Sequence, residues 1–271
     1  MAVIGSSMAG FATTRLIGIR GLGFGSDKSQ IPNPQSRLSD MQIGALGDIH
    51  GAFDTVDEIM KRHGDVPLWI SVGDLASNDG EYFTPAAPLY WIKGNNEDFD
   101  VIAAALAGRS PAPTLHYLAN GGPHRVGPWR VAALGGTFAP SWYRTPVAAL
   151  PPSKGRKGTA ASTKLGKSRD DKRRHFVRDE VLTCKALANI DVFMTHEAPR
   201  PFYPAGRRID AGKTVISDVL AAMRPRLHLF GHHHEFTDSV RQNVRSIGLD
   251  VVTKSYVLVD ADTFRCERLD T

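Results

Sequence analysis

The chain has 271 residues, 42% of them hydrophobic and 23% charged, with a formal net charge of +5. This is a globular composition, which excludes wholesale disorder, and at about 150 residues per domain it allows one large domain or two small ones. Cys184 and Cys266 are the only cysteines, too few for a disulfide framework or a cysteine-ligated cluster. With no apolar run of about 18 residues, the expectation is a cytoplasmic protein that spans no membrane.

Residues 1–40 carry scattered glycines and serines and the run Ile31-Pro32-Asn33-Pro34-Gln35-Ser36 without a sustained period. They are predicted to form a loosely ordered extension ahead of a domain spanning 41–271. Gly5, Ser6, Ser7 and Gly10 interrupt any signal-peptide core, so none is expected, and Met41 is an alternative start. From there strands and helices alternate. Gln42–Leu46 reads as a strand and Phe53–His63 as an amphipathic helix with Phe53, Val56, Ile59 and Met60 on one face. Leu68–Val72 and Leu89–Ile92 are apolar strands, Val101–Leu106 is helical, and Arg130–Leu134 is a strand stopped by Gly135-Gly136. Beyond the segment from Lys154 to Arg174, Phe176–Leu187 reads as a helix. Asp191–Met194 and Leu227–Phe230 are strands bracketing a helix over Thr214–Met223, and Tyr256–Val259 with Phe264–Glu267 form a closing hairpin. Continuous apolar strands alternating with helices make an α/β fold with helices covering the sheet faces.

Between Lys154 and Arg174, nine lysines and arginines face only Asp170 and Asp171, a net +7 that exceeds the charge of the whole chain. The rest is therefore slightly acidic, and the basic character is one loop rich in Gly, Ser, Thr and Ala. Read as more than a solvated loop, this segment is an electrostatic guide for a phosphate-rich partner such as a nucleotide or nucleic acid.

The residues just past each strand carry the chemistry. The strand ends read Gly47-Asp48-Ile49-His50-Gly51, Gly73-Asp74, Gly94-Asn95-Asn96-Glu97, Thr195-His196-Glu197 and Gly231-His232-His233-His234. Ligands bind where the carboxyl ends of strands in an α/β sheet meet, so these groups are expected to converge. Imidazole and carboxylate suit Mn, Fe or Zn. Asp48 and His50, two apart, can both reach one ion from a single turn, and His232 and His234 are likewise two apart. One carboxylate must bridge two ions, and Asp74 is the central candidate. Two such ions about 3.5–4 Å apart clamp a phosphoryl group and acidify a bridging water, so no serine or cysteine nucleophile is needed.

These blocks, GDIHG, GD, GNNE, THE and GHHH in that order over about residues 41–260, resemble those of the calcineurin-like metallophosphoesterase superfamily. The resemblance implies a four-layer α/β/β/α sandwich of two mixed sheets flanked by helices, with a dinuclear site at the strand C-terminal edge. It implies one metal on Asp48, His50, Asp74 and His234 and another on Asp74, Asn95, His196 and His232, with in-line attack on a phosphate ester by a metal-bridging hydroxide. The stretches His116-Tyr117-Leu118, Arg173-Arg174-His175-Phe176 and Asp191–His196 are distantly similar to the catalytic domain of RNA lariat debranching enzymes, whose branched substrate is not carried over.

Two departures shape the expectation. Many members have a histidine after the metal-binding asparagine. Here Asn96 stands there and cannot protonate a leaving group, a function worth about 10²–10⁴ in rate. Gly73-Asp74-Leu75-Ala76-Ser77 also lacks the Asp-Arg of protein phosphatases, so protein dephosphorylation is not expected. Phosphodiesters are the expected substrates ahead of monoesters. The competing readings are a non-catalytic metal-binding scaffold of the retromer type and a nucleic-acid-processing phosphodiesterase guided by the basic loop. Asn96 is a candidate for phosphate binding, and His175 for the missing acid. Arg144, Arg173 and Arg174 are candidates for substrate binding, and Trp142 and Tyr143 for stacking on a nucleobase or, ahead of that, for packing their loop onto the core. Glu97 and Glu197 are candidates for hydrogen-bonding the ligating groups. His233 is expected to point away from the ions, His63 to cap its helix at the surface, and His116, His124 and His228 to be ordinary polar or packed residues.

Overall fold

Side chains that alternate along the strands build the layers. In β1 (Gln42–Leu46), Ile43 and Ala45 face one side and Leu46 the other. In β6 (Trp129–Leu134), Val131 and Ala133 share the first apolar cluster while Ala132 and Leu134 belong to a different one. Strands buried on both faces need apolar residues at every position, which is how these segments read in sequence.

The computed structural model describes residues 41–152 and 170–271. The expected extension over 1–40 and most of the basic segment lie outside them. Among the described residues, twelve strands form two six-stranded sheets. The first runs β12 (Cys266–Asp270), β11 (Ser255–Asp260), β1, β2 (Trp69–Ser71), β3 (Leu89–Trp91) and β4 (Leu115–Tyr117). The second runs β5 (Gly121–Val126), β6, β7 (Val192–Thr195), β8 (Leu227–Phe230), β10 (Val244–Gly248) and β9 (Thr237–Arg241). β1 to β4 are parallel, and so are β6, β7, β8 and β10. β11, β12, β5 and β9 add antiparallel pairs, so both sheets are mixed.

The two sheets pack face to face through Ile43, Ile70, Val257, Val131, Met194 and Leu229. Helix α1 (Phe53–Arg62) lays Val56, Ile59 and Met60 on the outer face of the first sheet, together with Phe99 and Ile102 of α2 (Phe99–Leu106). On the second sheet, α3 (Arg178–Lys185) contributes Val181 and Cys184, and α4 (Thr214–Met223) contributes Ile216, Val219 and Leu220. The order helix, sheet, sheet, helix is the expected four-layer α/β sandwich. Each fully buried aliphatic side chain contributes about 1.5–3 kcal/mol, so these three apolar layers fix the relative placement of the sheets.

The differences from the expected elements are local. Helix α2 begins at Phe99 because Asp98 caps it, accepting the Asp100 and Val101 amides at 3.0 and 3.4 Å. Helix α3 begins at Arg178 rather than Phe176, because Phe176 is fully buried in the apolar layer and its N–H donates to the Thr137 carbonyl. Strands β5 and β9 are edge strands with few apolar residues, and Pro123 sits in β5 where an edge tolerates it. β9 and β10 are joined by Gln242 and Asn243, both at positive φ, the two-residue hairpin geometry that matches strand twist. Among the described residues no helix is long and apolar enough to cross a membrane.

Candidate metal centre

Five strands end at the same place. Asp48 and His50 follow β1, Asp74 follows β2, Asn95 follows β3, His196 follows β7 and His232 with His234 follow β8. The first three strands belong to one sheet and the last two to the other. The site therefore lies at the rim of the seam between the sheets. Its backbone is strained: His50, Asp74, His232 and His234 all have φ between 49° and 70°. Non-glycine residues hold this left-handed conformation only where the surroundings over-determine it. Two glycines make the approach possible, since a Cβ on Gly94 would overlap Asp74 Oδ1 and one on Gly231 would overlap Asp48 Oδ1.

The seven side chains come together as two clusters. In the first, His234 Nε2 lies 2.9 Å from Asp48 Oδ2 and 3.1 Å from His50 Nε2, while His50 Nε2 lies 3.6 Å from Asp48 Oδ2 and 3.8 Å from Asp74 Oδ2. In the second, His196 Nε2 lies 3.1 Å from Asn95 Oδ1, 3.1 Å from His232 Nδ1 and 3.6 Å from Asp74 Oδ1. Asp74 turns one carboxylate oxygen toward each cluster. It is held there by the Asn95 and Asn96 amides on Oδ1 (2.6 and 2.7 Å) and by the Asn96 side-chain amide on Oδ2 (2.8 Å). Asp48 is fixed by the His232 amide at 2.9 Å.

The donor set fits divalent cations. His196 Nδ1 is 2.9 Å from the Val72 carbonyl. A carbonyl only accepts, so Nδ1 carries the hydrogen and Nε2 presents its lone pair, which then faces two oxygens and another imidazole nitrogen. Acceptors that converge this way leave a place for a cation. Asp48 and Asp74 are each about 1% exposed, and among the described residues their only ion-pair partners are histidines. Two buried carboxylates without a lysine or arginine are costly unless another cation compensates them. The same contacts set the titration of the cluster. Burial acts to raise the Asp48 carboxyl, but hydrogen bonds from His234 and His50 hold it well below the usual range. The hydrogen bond to Asp48 raises His50. Burial opposes the charged form of His196, yet Asp74 and Asp48 raise its pKa. Burial and the neighbouring His196 push His232 down to about 2.

Glu97 and Glu197 serve the loops rather than the ligand side chains. Glu97 accepts Leu75 N (3.0 Å), Gly94 N (3.3 Å), Ala76 N (3.3 Å) and the Tyr82 hydroxyl (2.9 Å), tying the second block to the third. Burial and the Asp74 charge push its carboxyl up to about 7. Glu197 accepts the Phe138 amide at 2.5 Å and pairs with Lys213 Nζ at 3.3 Å.

The other sequence candidates occupy different settings. His175 holds Thr137 through Nδ1, 3.1 Å from its hydroxyl, and burial beside Arg174 pushes the imidazole down to about 4, so it is neutral at pH 7. Arg173 is committed to Asp171 and Asp100 (2.7 and 2.8 Å). The carbonyls of Arg173 and His175 receive the buried Lys93 ammonium at 2.9 and 3.1 Å, and Arg174 ends the same 3₁₀ turn. Arg144 lines a cavity of about 370 Å³ with Tyr143, Thr145, Arg178 and Asp179, none of them a candidate ligand. Tyr143 packs against Phe138 with ring centroids 5.2 Å apart. His228 is fully buried, and His63 bonds the Tyr256 hydroxyl at 2.7 Å. Sequence reasoning missed Arg207, Lys213 and Lys254, which line a cavity shared with His232 and His234. The turn Ala205-Gly206-Arg207-Arg208 after the fourth block was the available signal.

A family model described as calcineurin-like phosphoesterase matches residues 41–236. The crystal structure of TT1561 of Thermus thermophilus is 12% identical, with 85% of this chain and 99% of that chain covered and a TM-score of 0.56. A second solved structure is 10% identical with 85% and 99% coverage and a TM-score of 0.60. At these identities the likeness speaks to the fold alone. A comparison with curated proteins returned no match.

Proposed function

This chain belongs to the calcineurin-like phosphoesterase family, which binds two divalent metals, and we propose that it is a phosphodiesterase. In this reading Asp48, His50, Asp74 and His234 hold one divalent cation, and Asp74, Asn95, His196 and His232 hold the other. A nitrogen and oxygen donor set of this kind suits manganese, iron or zinc. Bound there, the cations supply Lewis-acid charge to a phosphoryl group and lower the pKa of water.

The protein's own residues do the rest. Asp74 presents an oxygen to each cluster, and Asn96 keeps it oriented by donating to Oδ2. The Val72 carbonyl takes the His196 Nδ1 hydrogen, so in the neutral ring the lone pair lies on the cluster side. Asn96 offers a hydrogen bond but no acidic proton, and burial beside Arg174, which lowers the His175 pKa to about 4, disfavours the imidazolium an acid would need. A leaving oxygen that departs without a proton must be a weak base, which favours activated diesters. The observation that carries the reading is the lone pair of His196 Nε2 aimed into a nest of acceptors that include Asp74 and Asn95.

The test is metal content together with turnover of bis(p-nitrophenyl) phosphate and p-nitrophenyl phosphate, with Asp74→Ala as control. Two ions per chain and faster diester hydrolysis are expected. Faster monoester hydrolysis overturns the diester assignment. Two bound ions with no turnover above the control would make the chain the non-catalytic scaffold that Asn96 also permits.

A further inference from the structure

The side of the candidate centre that bears His232 and His234 opens into a cavity of about 760 Å³, lined also by Arg207, Lys213, Lys254 and His233. That volume lies in the range of sites that take a whole small-molecule ligand. The wall is held by packing and hydrogen bonds. Phe202 is buried against Phe230 and lies 4.6 Å from the His233 ring. Asp210 ties the loop across its width, accepting Phe202 N at 2.8 Å, Gly212 N at 2.9 Å and Arg200 Nε at 2.7 Å. Glu235 accepts the Ala205 amide at 2.8 Å and fixes the turn that carries Arg207.

The charges in the lining are not balanced evenly. Asp250 is engaged by the Val251 amide at 2.8 Å and the Lys254 ammonium at 3.2 Å, and Lys213 faces Glu197 at 3.3 Å. Arg207 is exposed and forms no ion pair among the described residues. The Nε2 atom of His233 is buried without a hydrogen-bond partner among the described residues, and such atoms ordinarily have one. The cavity therefore offers an unengaged planar guanidinium flanked by two ammonium groups, each already facing a carboxylate. That combination matches a phosphate, whose oxygens take two guanidinium hydrogen bonds at once.

We propose that this cavity is a subsite for a second phosphate group of the substrate, with Arg207 as its principal partner, so that the substrates are phosphate esters bearing a further phosphate beyond the scissile one. The inference rests on the phosphoesterase reading, since only that reading makes the adjoining centre the place of reaction.

The first test titrates the metal-free full chain with inorganic pyrophosphate by calorimetry. One site per chain is expected, weakened about tenfold or more in Arg207→Ala, as for loss of a charged hydrogen bond. Lys61→Ala, which removes an exposed charge that does not line the cavity, leaves binding unchanged. The second test compares KM on the metal-loaded protein for thymidine 5′-(p-nitrophenyl phosphate) with and without a 3′-phosphate. The 3′-phosphorylated ester is expected to have a KM lower by about tenfold, an advantage that Arg207→Ala abolishes. No pyrophosphate binding, equal binding in Arg207→Ala and Lys61→Ala, or equal KM for the two esters overturns the subsite. Arg207-dependent binding of pyrophosphate with no turnover of either ester overturns the phosphoesterase reading and leaves the anion site standing.

Discussion

His228 gives a quantitative test of how the fold holds the fourth ligand block. The side chain is fully buried in β8. Its Nε2 lies 2.9 Å from the Thr195 hydroxyl and its Nδ1 lies 3.1 Å from the Ser246 hydroxyl. The Thr195 hydroxyl donates to the Glu197 carbonyl at 2.7 Å, so it accepts from His228, and Nε2 carries the hydrogen. The neutral imidazole thus braces the turn that presents His196. Burial, with a contribution from Arg241, pushes its pKa from 6.5 down to about 3. The folded state therefore binds a proton less readily than the unfolded chain. Its contribution to stability is present above pH 6.5 and is lost as pH falls toward 3. Between pH 8 and pH 5 the loss is about 2 kcal/mol.

His228→Phe removes the titration, and the phenyl ring fits between Phe193 and Phe230, each already stacked 5.5 Å from the imidazole. Losing the two hydrogen bonds costs about 1–3 kcal/mol at pH 8. Urea unfolding of metal-free wild type and variant at pH 8, 7, 6 and 5 should show the wild-type advantage shrinking by about 2 kcal/mol, with unchanged m-values. A difference that stays constant with pH would refute the reasoning, because a histidine that titrates equally in both states cannot be the buried neutral brace.

Asp74→Ala removes the carboxylate shared by both clusters. Metal content should fall from two ions to at most one per chain, and the rise in melting temperature on adding Mn²⁺ should shrink with it, measured by plasma emission and calorimetry. Gly231→Ala places a methyl against Asp48 Oδ1 and Val72, and should weaken metal binding about tenfold or more in a chelator competition, the scale seen when a group supporting a ligand is disturbed. Asn96→His supplies a titratable group where Asn96 now holds Asp74, and should raise kcat for a poor alkyl leaving group by about 10²-fold while changing activated aryl esters little. Equal effects on both would exclude an acid role. Deleting residues 154–169 spares the Asp171–Arg173 ion pair and should flatten the salt dependence of any RNA or DNA affinity measured by fluorescence anisotropy.

Much of this molecule is legible in its sequence, for local physical reasons. A buried strand demands apolar side chains on successive positions, and each ligand block follows directly where such an apolar run stops. Asp48, Asp74, Asn95, His196 and His232 could therefore be placed at strand ends from spacing alone. Edge strands β5 and β9 escape this logic because one rim faces solvent and they carry few apolar residues.

What faces a common cavity is decided at long range. Arg173 reads as a substrate-binding cation until Asp100, 73 residues away, is seen to hold it. His175 reads as an acid until burial and its cationic neighbours strip its proton. Arg207 is inconspicuous until Phe202 docks on Phe230 and His233 and turns its loop toward the centre. The order and chemistry of the ligand blocks belong to the sequence, because they follow from strand periodicity and residue type. The partner of each loop charge belongs to the tertiary structure, because contacts between residues tens of positions apart leave no local pattern.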